Sequence, residues 1–306
     1  MERVDIKVGF YCNNQCTFCV QGRKRDYLPA KGLAEIKASL VEAKEKGKKE
    51  VVFTGGEPTL HPDFLRLVKI AADLGFKQIQ IQSNGRMFAY PDFCVKTIRA
   101  GATQFSPALH GPTAKIHDFL TSAPGSFEQT VAGIKNLKKM GQYVLTNTVI
   151  TTKNYRQLPQ TARLLVSLGV DQFQFAFVHI LGTAKANAEW LVPHKKQIMK
   201  CVKRGLDIGL AAGKKVTTEA IPYCLMKGYE DCIAEKIIPK TRIYDAGFVI
   251  EDYKNYRLQS GKIKGENCSA CLYNKLCEGP WKEYVELFGW KEFSPVKKRR
   301  RKNSTN

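Results

Sequence analysis

The chain has 306 residues, a formal net charge of +21 and 10 cysteines. That length allows one large domain, or a large domain with a small one, around a well-buried core. No apolar run reaches the length of a membrane span, and Met1-Glu2-Arg3-Val4-Asp5 lacks the basic start of a secretion signal, so a cytoplasmic protein without a membrane partner is expected, its cysteines ligands or buried thiols and not disulfides.

Residues 4–8 alternate with charge as a strand and run into a loop carrying Cys12, Cys16 and Cys19. Leu33, Ile36, Leu40 and Val41 recur at helical spacing, and Gly47 is placed to end that helix. Residues 51–53 form a second strand before Gly55-Gly56-Glu57-Pro58. Pro62 suits the first turn of the next helix, which Gly75 closes. Residues 79–82 are the third strand, delivering Ser83-Asn84-Gly85. A helix from Pro91 to Gly101 precedes a fourth strand, 104–109, ending at His110-Gly111. Val131, Ile134 and Leu137 mark a helix closed by Gly141. Residues 143–150 are a fifth strand, 158–168 a helix, 173–178 a sixth strand ending at His179, and Pro193 opens a long helix towards Gly213.

Six strand–helix units with a glycine after each helix imply an α/β fold with a parallel sheet and right-handed crossovers. A partial (β/α)6 barrel of the TIM type and an open doubly wound sheet both fit. No Gly-x-Gly-x-x-Gly follows the first strand, which argues against a dinucleotide fold. In either architecture the active site lies at the carboxyl ends of the strands. Those ends carry Cys12/Cys16/Cys19, Gly55 to Pro58, Ser83 with Asn84, His110, Thr148 with Thr151, and His179. Three thiolates on one tight loop can hold three irons of a cubane cluster and leave the fourth open; by spacing alone, a zinc site or buried thiols fit as well.

Taken together, the Cys-x3-Cys-x2-Cys loop, the Gly-Gly-Glu-Pro after strand two and the strand–helix order over residues 4–213 resemble the radical S-adenosylmethionine (radical SAM) superfamily. The resemblance implies a [4Fe–4S] cluster on Cys12, Cys16 and Cys19, with SAM chelating the open iron. One-electron cleavage of SAM then gives a 5′-deoxyadenosyl radical that abstracts hydrogen from a substrate. It also implies cofactor contacts from Phe18 (packing near the adenine), Gly55 and Gly56 (backbone carbonyls offered to the SAM ammonium), Glu57 (accepting from the same ammonium) with Pro58 beside it, and Ser83 and Asn84 (the ribose hydroxyls). Residue by residue, Phe18 reads equally as core, Glu57 as a cap on Thr59, and Ser-Asn-Gly as a turn. Relatives often carry a serine where Ala108 stands. Ser106, one pleat back on the same face, or His110 is expected to supply that polar contact. His179 with Gly182-Thr183-Ala184 looks like the sixth-strand end of relatives that approaches substrate or SAM.

After Gly213 the pattern changes. Cys268-x2-Cys271-x5-Cys277 resembles the core of the Twitch and SPASM extensions, which hold auxiliary iron–sulfur clusters, with Trp281 where SPASM expects a further cysteine. One auxiliary [4Fe–4S] cluster is therefore expected on Cys268, Cys271, Cys277 and Cys224, with Cys232 the rival fourth ligand and a structural zinc the competing metal. Cys94 and Cys201 read as buried thiols. The expected domains are a radical SAM core at 1–215, a cysteine-rich Twitch-like extension at 216–294 and a basic disordered tail at 295–306. Aromatics after Cys277 suggest a segment packed back on the body.

The expected function is a radical SAM oxidoreductase of the maturase kind, acting on a peptide or protein and reduced by a flavodoxin or ferredoxin. The alternatives are rearrangement of a small metabolite or nucleotide, and a non-catalytic iron–sulfur protein; retention of Gly55 to Pro58 with all three cysteines speaks against the last. The basic surplus, six charges of it in the run from Lys297 to Lys302, reads as a nucleic-acid contact or as a solvated surface. The absence of interleaved aromatics favours the surface.

Overall fold

The structure is a computed structural model and describes residues 2–297. All six expected strand–helix units are present, and the sheet is larger than six strands. Its strands are β1 (Glu2–Lys7), β2 (Glu50–Thr54), β3 (Gln78–Ser83), β4 (Gln104–Pro107), β5 (Tyr143–Ile150), β6 (Gln172–Phe177), β7 (Lys215–Glu219), β8 (Lys240–Tyr244) and β9 (Val249–Ile250). The spatial order is β7-β6-β5-β4-β3-β2-β1-β8-β9, parallel throughout except for the final β8–β9 pair. β1 to β7 follow one another without a reversal. A doubly wound sheet requires a switch point, so this is the partial-barrel alternative, lengthened by β7 at one edge and by β8 and β9 at the other.

The helices α1 (Leu33–Glu45), α2 (Phe64–Asp73), α3 (Pro91–Arg99), α4 (Ala114–Thr121), α5 (Ser126–Lys139), α6 (Leu158–Ser167), α7 (Thr183–Ala186), α8 (Ala188–Leu191), α9 (Lys195–Ala211), α10 (Tyr253–Ser260) and α11 (Lys282–Phe288) complete the chain. Pro62 stands just outside α2, whose N-cap is Asp63. β4 is shorter than the sequence suggests: it pairs with β5 through only two register positions, and the two strands meet again at the Ala108–Asn147 bridge. α4 was not expected; it is an extra helix inserted between β4 and α5.

Alternation along the strands decides which face is apolar. Ile79 and Ile81 of β3 and Phe173 and Phe175 of β6 are buried. Phe175 and Phe173 reach α9, where a side chain in place of Gly205 or Gly209 would meet their rings at 2.6 and 2.5 Å. The opposite face carries Gln78, Gln80 and Gln82 and Gln172 and Gln174. It bounds a polar lumen of about 700 Å³, where a closed barrel would be filled with branched apolar side chains.

Residues beyond 215 close the open side of this partial barrel. The expected boundary at 215/216 falls within β7, a strand of the same sheet. Tyr253 of α10 lines the lumen, and Arg257 of α10 holds Glu278 through two hydrogen bonds of 2.7 and 2.6 Å, both residues buried. α11 packs back as its aromatics suggest: Tyr284 is fully buried, meets Phe177 ring to ring at 5.4 Å, and its hydroxyl accepts from Lys195 N–H at 2.8 Å. Among the described residues no helix is long and apolar enough to cross a membrane. The tail beyond Lys297 lies outside the described residues.

A buried charge that loses its partner is costly. Arg257→Ala should therefore lower unfolding free energy by about 3–5 kcal/mol, while the paired change Arg257→Met with Glu278→Leu should cost clearly less. Urea unfolding of the three proteins measures both.

Candidate active site

The loop after β1 is held by other strands more than by itself. Gly56 N–H donates to Gly9 O (2.8 Å) and Glu57 N–H to Tyr11 O (2.8 Å), so the end of β2 straps its base. Gln15 and Thr17 N–H donate to Thr121 O and Leu120 O at the end of α4 (2.8 and 2.9 Å). Thr183 N–H donates to Cys19 O (2.9 Å) and Asn187 Nδ2 to Thr17 O (2.8 Å), from the segment after β6. Arg86 Nη1 reaches Asn13 O (2.6 Å) and Asn14 Oδ1 (2.9 Å), and Arg25 Nη1 reaches Asn14 O (2.7 Å).

So held, Cys12, Cys16 and Cys19 line one cavity of about 420 Å³ at the carboxyl end of the sheet. Burial pushes the Cys12 and Cys16 thiols up, and the Arg25 guanidinium opposes this for both. Asn14 N–H also donates to Cys12 Sγ at 3.4 Å. Guanidinium charge and an N–H donor at sulfur suit thiolates bound to a cluster. The residues present therefore fit an iron–sulfur group, which Cys12, Cys16 and Cys19 would hold at this cavity.

The structure gives the glycine pair a reason the sequence did not show. A Cβ on Gly56 would lie 2.2 Å from Tyr11 O and 2.4 Å from Phe10 O, and one on Gly55 2.1 Å from Gly9 O. Both positions also line the cavity, but close packing under the cysteine loop already demands glycine.

Glu57 is buried, and its carboxylate is engaged within the protein. Oε1 accepts from Thr59 N–H (3.1 Å), Thr59 Oγ1 (2.6 Å) and Ser83 Oγ (2.8 Å); Oε2 accepts from Asn84 N–H (2.6 Å). The Thr59 cap was the alternative sequence reading. The added bonds to Ser83 and Asn84 tie β2 to β3, and burial pushes this carboxyl up. Pro58 opens a short 3-10 turn, Pro58–Leu60. Ser83 and Asn84 line the cavity. Asn84 Nδ2 donates to Asn13 Oδ1 at 2.6 Å.

His110 lines the cavity and meets Phe18 edge to face at 4.6 Å. Its Nδ1 accepts from Val149 N–H (3.2 Å), which leaves the proton on Nε2. Burial, with His117 beside it, drives its pKa well down, so the ring is neutral. Ala108 lines this cavity whereas Ser106 faces the lumen below, so of the two expected substitutes His110 is the one at the cavity. His179 lines both cavities and stacks on Trp281 at 3.8 Å; burial, then Lys262 and Lys195, hold its pKa at about 4.

Several site residues escaped the sequence reading. Arg86 and Arg25 follow no spacing rule, because what they brace is close only after folding. Glu219 at the end of β7 and Tyr253 come from elements not expected to reach the barrel, and Trp281 comes from a segment expected to pack on the body but given no place in the site. The glutamines of the lumen were legible in the alternation Gln-Ile-Gln-Ile-Gln and Gln-Phe-Gln-Phe, a period-2 pattern with polar residues facing in.

A second cavity, of about 600 Å³, gathers Cys224, Cys268, Cys271 and Cys277. Cys232 is not on its wall; it is buried beside Thr218, which bonds its carbonyl at 3.4 Å. Gly279 N–H donates to Cys277 Sγ (3.4 Å) and Val296 N–H to Cys271 Sγ (3.3 Å). Burial pushes Cys224 up to about 11. Trp290 and Phe293 wall this cavity, giving the late aromatics a place. Among the described residues no three His, Cys, Asp or Glu side chains come together around a single metal ion. Of the remaining thiols, Cys94 is buried, and Cys201 is half-buried against the core.

A sequence profile described as the radical SAM superfamily matches residues 6–165. An AdoMet-dependent heme synthase of Methanosarcina barkeri is 25% identical over 313 residues, covering 88% of this chain and 87% of that protein. A probable GTP 3',8-cyclase of Sulfurisphaera tokodaii is 27% identical over 210 residues, covering 68% of this chain and 65% of that protein. Among solved structures, Streptococcus suis SuiB bound to the precursor peptide SuiA is similar with a TM-score of 0.67 at 18% identity, over 98% of this chain and 75% of that one. Native anSMEcpe with bound AdoMet gives a TM-score of 0.70 at 14% identity, over 97% and 93%. The fold is thus shared through the C-terminal cysteine region.

Gly56→Ala places a methyl against two carbonyl oxygens and should cost about 1–3 kcal/mol, visible as a lower melting temperature. Arg86→Gln removes the bonds to Asn13 and Asn14 in the loop and the one to Gln129 on α5, so it should lower melting modestly and reduce iron retained after reconstitution; iron analysis after gel filtration reads the second effect.

Proposed function

The chain belongs to the radical SAM superfamily, and on that premise we propose that it is a maturase-like enzyme abstracting hydrogen from a peptide or protein. The observation that carries the chemistry is the convergence of Cys12, Cys16 and Cys19 on one cavity, strapped to the Gly-Gly-Glu-Pro turn. When bound there, a [4Fe–4S] cluster and SAM supply reductive cleavage of a sulfonium to a 5′-deoxyadenosyl radical, with a flavodoxin or ferredoxin as electron donor.

The chain's own residues have separate tasks. Arg25 and Asn14 N–H favour the thiolate at Cys12. Phe18 and His110 form an aromatic wall with a single Nε2–H donor, and Gly55, Gly56 and Asn84 present polar backbone and amide groups to SAM. Cys224, Cys268, Cys271 and Cys277 would hold an auxiliary cluster in the second cavity, supported by their N–H···S contacts. In this reading residues up to 215 make the radical and the segment 216–294 carries the auxiliary site.

Peptide substrates are supported by the likeness of fold to SuiB bound to its precursor peptide. A second reading, an iron porphyrin as substrate, is favoured by the heme synthase likeness, which spans 87% of that protein.

Anaerobically reconstituted protein incubated with SAM and dithionite should release 5′-deoxyadenosine; none under full reduction overturns the enzyme reading. Iron analysis should give about eight irons per chain, falling by half in the Cys268→Ala/Cys271→Ala double variant. Zinc with about four irons would replace the auxiliary cluster by a structural metal. A shift of the Soret band on adding an iron porphyrin would favour the second reading.

A further inference from the structure

Reduction of a cluster on Cys12, Cys16 and Cys19 needs an electron donor that approaches the loop from outside the cavity. Three separate segments meet on that outer side. Phe119 stands near the end of α4, next to Leu120, whose carbonyl accepts from Thr17 N–H (2.9 Å) and Thr17 Oγ1 (3.2 Å). Trp190 stands on α8 and donates its N–H to Asn187 O (3.3 Å), while Asn187 Nδ2 donates to Thr17 O (2.8 Å). Thr17 lies between Cys16 and Cys19, so both aromatics are anchored to a residue that separates two of the thiols. Their rings meet edge to face at 6.0 Å. Lys153, from the turn after β5, places Nζ 5.8 Å from the Phe119 ring centre and 5.6 Å from that of Trp190. Thr152 fixes this third segment, donating its hydroxyl to Trp190 O (2.6 Å) and its N–H to Leu191 O (2.9 Å).

None of Phe119, Lys153 and Trp190 lines the cysteine cavity. Phe119 and Trp190 are 51% and 37% exposed side by side, an apolar pair that a partner surface would cover. Charge narrows that partner. Lys115, one helical turn before Phe119, and Lys185, two residues before Asn187, are exposed. Neither they nor Lys153 forms an ion pair among the described residues. Of the carboxylates close by, Asp118 is engaged, accepting from Gly125 N–H, Phe127 N–H and the Ser126 hydroxyl; Glu189 is exposed. Unpaired cations thus outnumber carboxylates around an aromatic centre, which fits an acidic protein surface. Electron-transfer encounters bury little area, so a compact patch of this kind suffices.

We propose that Phe119, Trp190 and Lys153 form the docking face for an acidic, low-potential electron-carrier protein of the flavin or iron–sulfur kind. One electron leaves the docked carrier and enters the cluster held by the three cysteines, and no bond forms or breaks. This rests on the reading of Cys12, Cys16 and Cys19 as cluster ligands and names where their reductant binds.

The test uses anaerobically reconstituted holoenzyme with SAM and, in separate arms, reduced flavodoxin, reduced ferredoxin or dithionite, the last needing no docking face. The rate of 5′-deoxyadenosine release is measured in each arm. Independently, enzyme and carrier are joined by a carbodiimide, which links lysine to carboxylate at contact, and the linked lysines are mapped by mass spectrometry. Lys153 should be linked to at least one carrier. Lys153→Glu should slow carrier-driven release about tenfold and flatten its fall with salt, and Phe119→Ser should slow it about tenfold at every salt concentration. Both variants should keep wild-type melting and the wild-type rate with dithionite. Equal carrier-driven rates in wild type and both variants overturn the docking face. So do cross-links confined to lysines elsewhere, such as Lys264 and Lys275 beside the second cysteine group, or no cross-link to either carrier. No 5′-deoxyadenosine with dithionite overturns the enzyme reading instead, and the cross-link map still decides the face.

Discussion

Everything in the catalytic cavity depends on a loop that cannot hold its own shape. Between β1 and α1 the chain forms one short 3-10 turn, Lys24–Asp26, and otherwise irregular backbone. Its polar groups must find partners elsewhere, and they find them at the end of β2, on Arg86 after β3, at the end of α4 and in the segment after β6. The three thiols thus inherit their positions from strand register. A one-residue slip of β2 against β1 would take Gly56 N–H away from Gly9 O and turn Phe53 to the opposite face. Glu57 reinforces the arrangement by joining β2 to β3 through Ser83 and Asn84. Gly-Gly-Glu-Pro is a structural strap before it is anything else, and the cavity wall it forms follows from that.

The second constraint is that the barrel is incomplete and wet. Apolar burial is concentrated between sheet and helices, where Phe173 and Phe175 press against α9, and the inner face is left to glutamines. An open, polar interior needs a stopper on its free side. The chain from 215 on provides it with β7, β8 and α10. The same segment carries the second cysteine group, so one stretch of sequence both closes the first cavity and builds the next. Trp281 shows the economy of this: where a further cysteine would extend the SPASM pattern, an indole stacks on His179 in the wall of the first cavity.

Much of this was legible in the sequence, and what was hidden has physical reasons. The six strands, the thiol loop and the cluster-bearing end of the sheet follow from period, glycine placement and cysteine spacing, all local signals. β8 was missed because its partner β1 lies more than two hundred residues away, and a short strand such as Lys240–Tyr244 has no local signature of where it will pair. Glu57 reads from sequence as either a ligand-facing or a capping carboxylate; only the fold brings Ser83 and Asn84 to it. The choice of Cys224 over Cys232 is likewise tertiary, since both lie between β7 and β8 but only Cys224 faces the second cavity.

Net charge and site chemistry are separate matters in this fold. A surplus of +21 invites an anionic substrate, yet Arg3, Lys7, Lys24 and Arg257, which reach the lumen, are paired with carboxylates on neighbouring strands and loops. The surplus resides on outward surfaces such as α9, where Lys196, Lys200, Lys203 and Arg204 are exposed or half-buried. There it acts at long range, raising the local concentration of anionic partners and falling off with salt. Composition describes the outward surface and strand alternation the lumen. For this chain the alternation carries more information about the inner lining of the barrel.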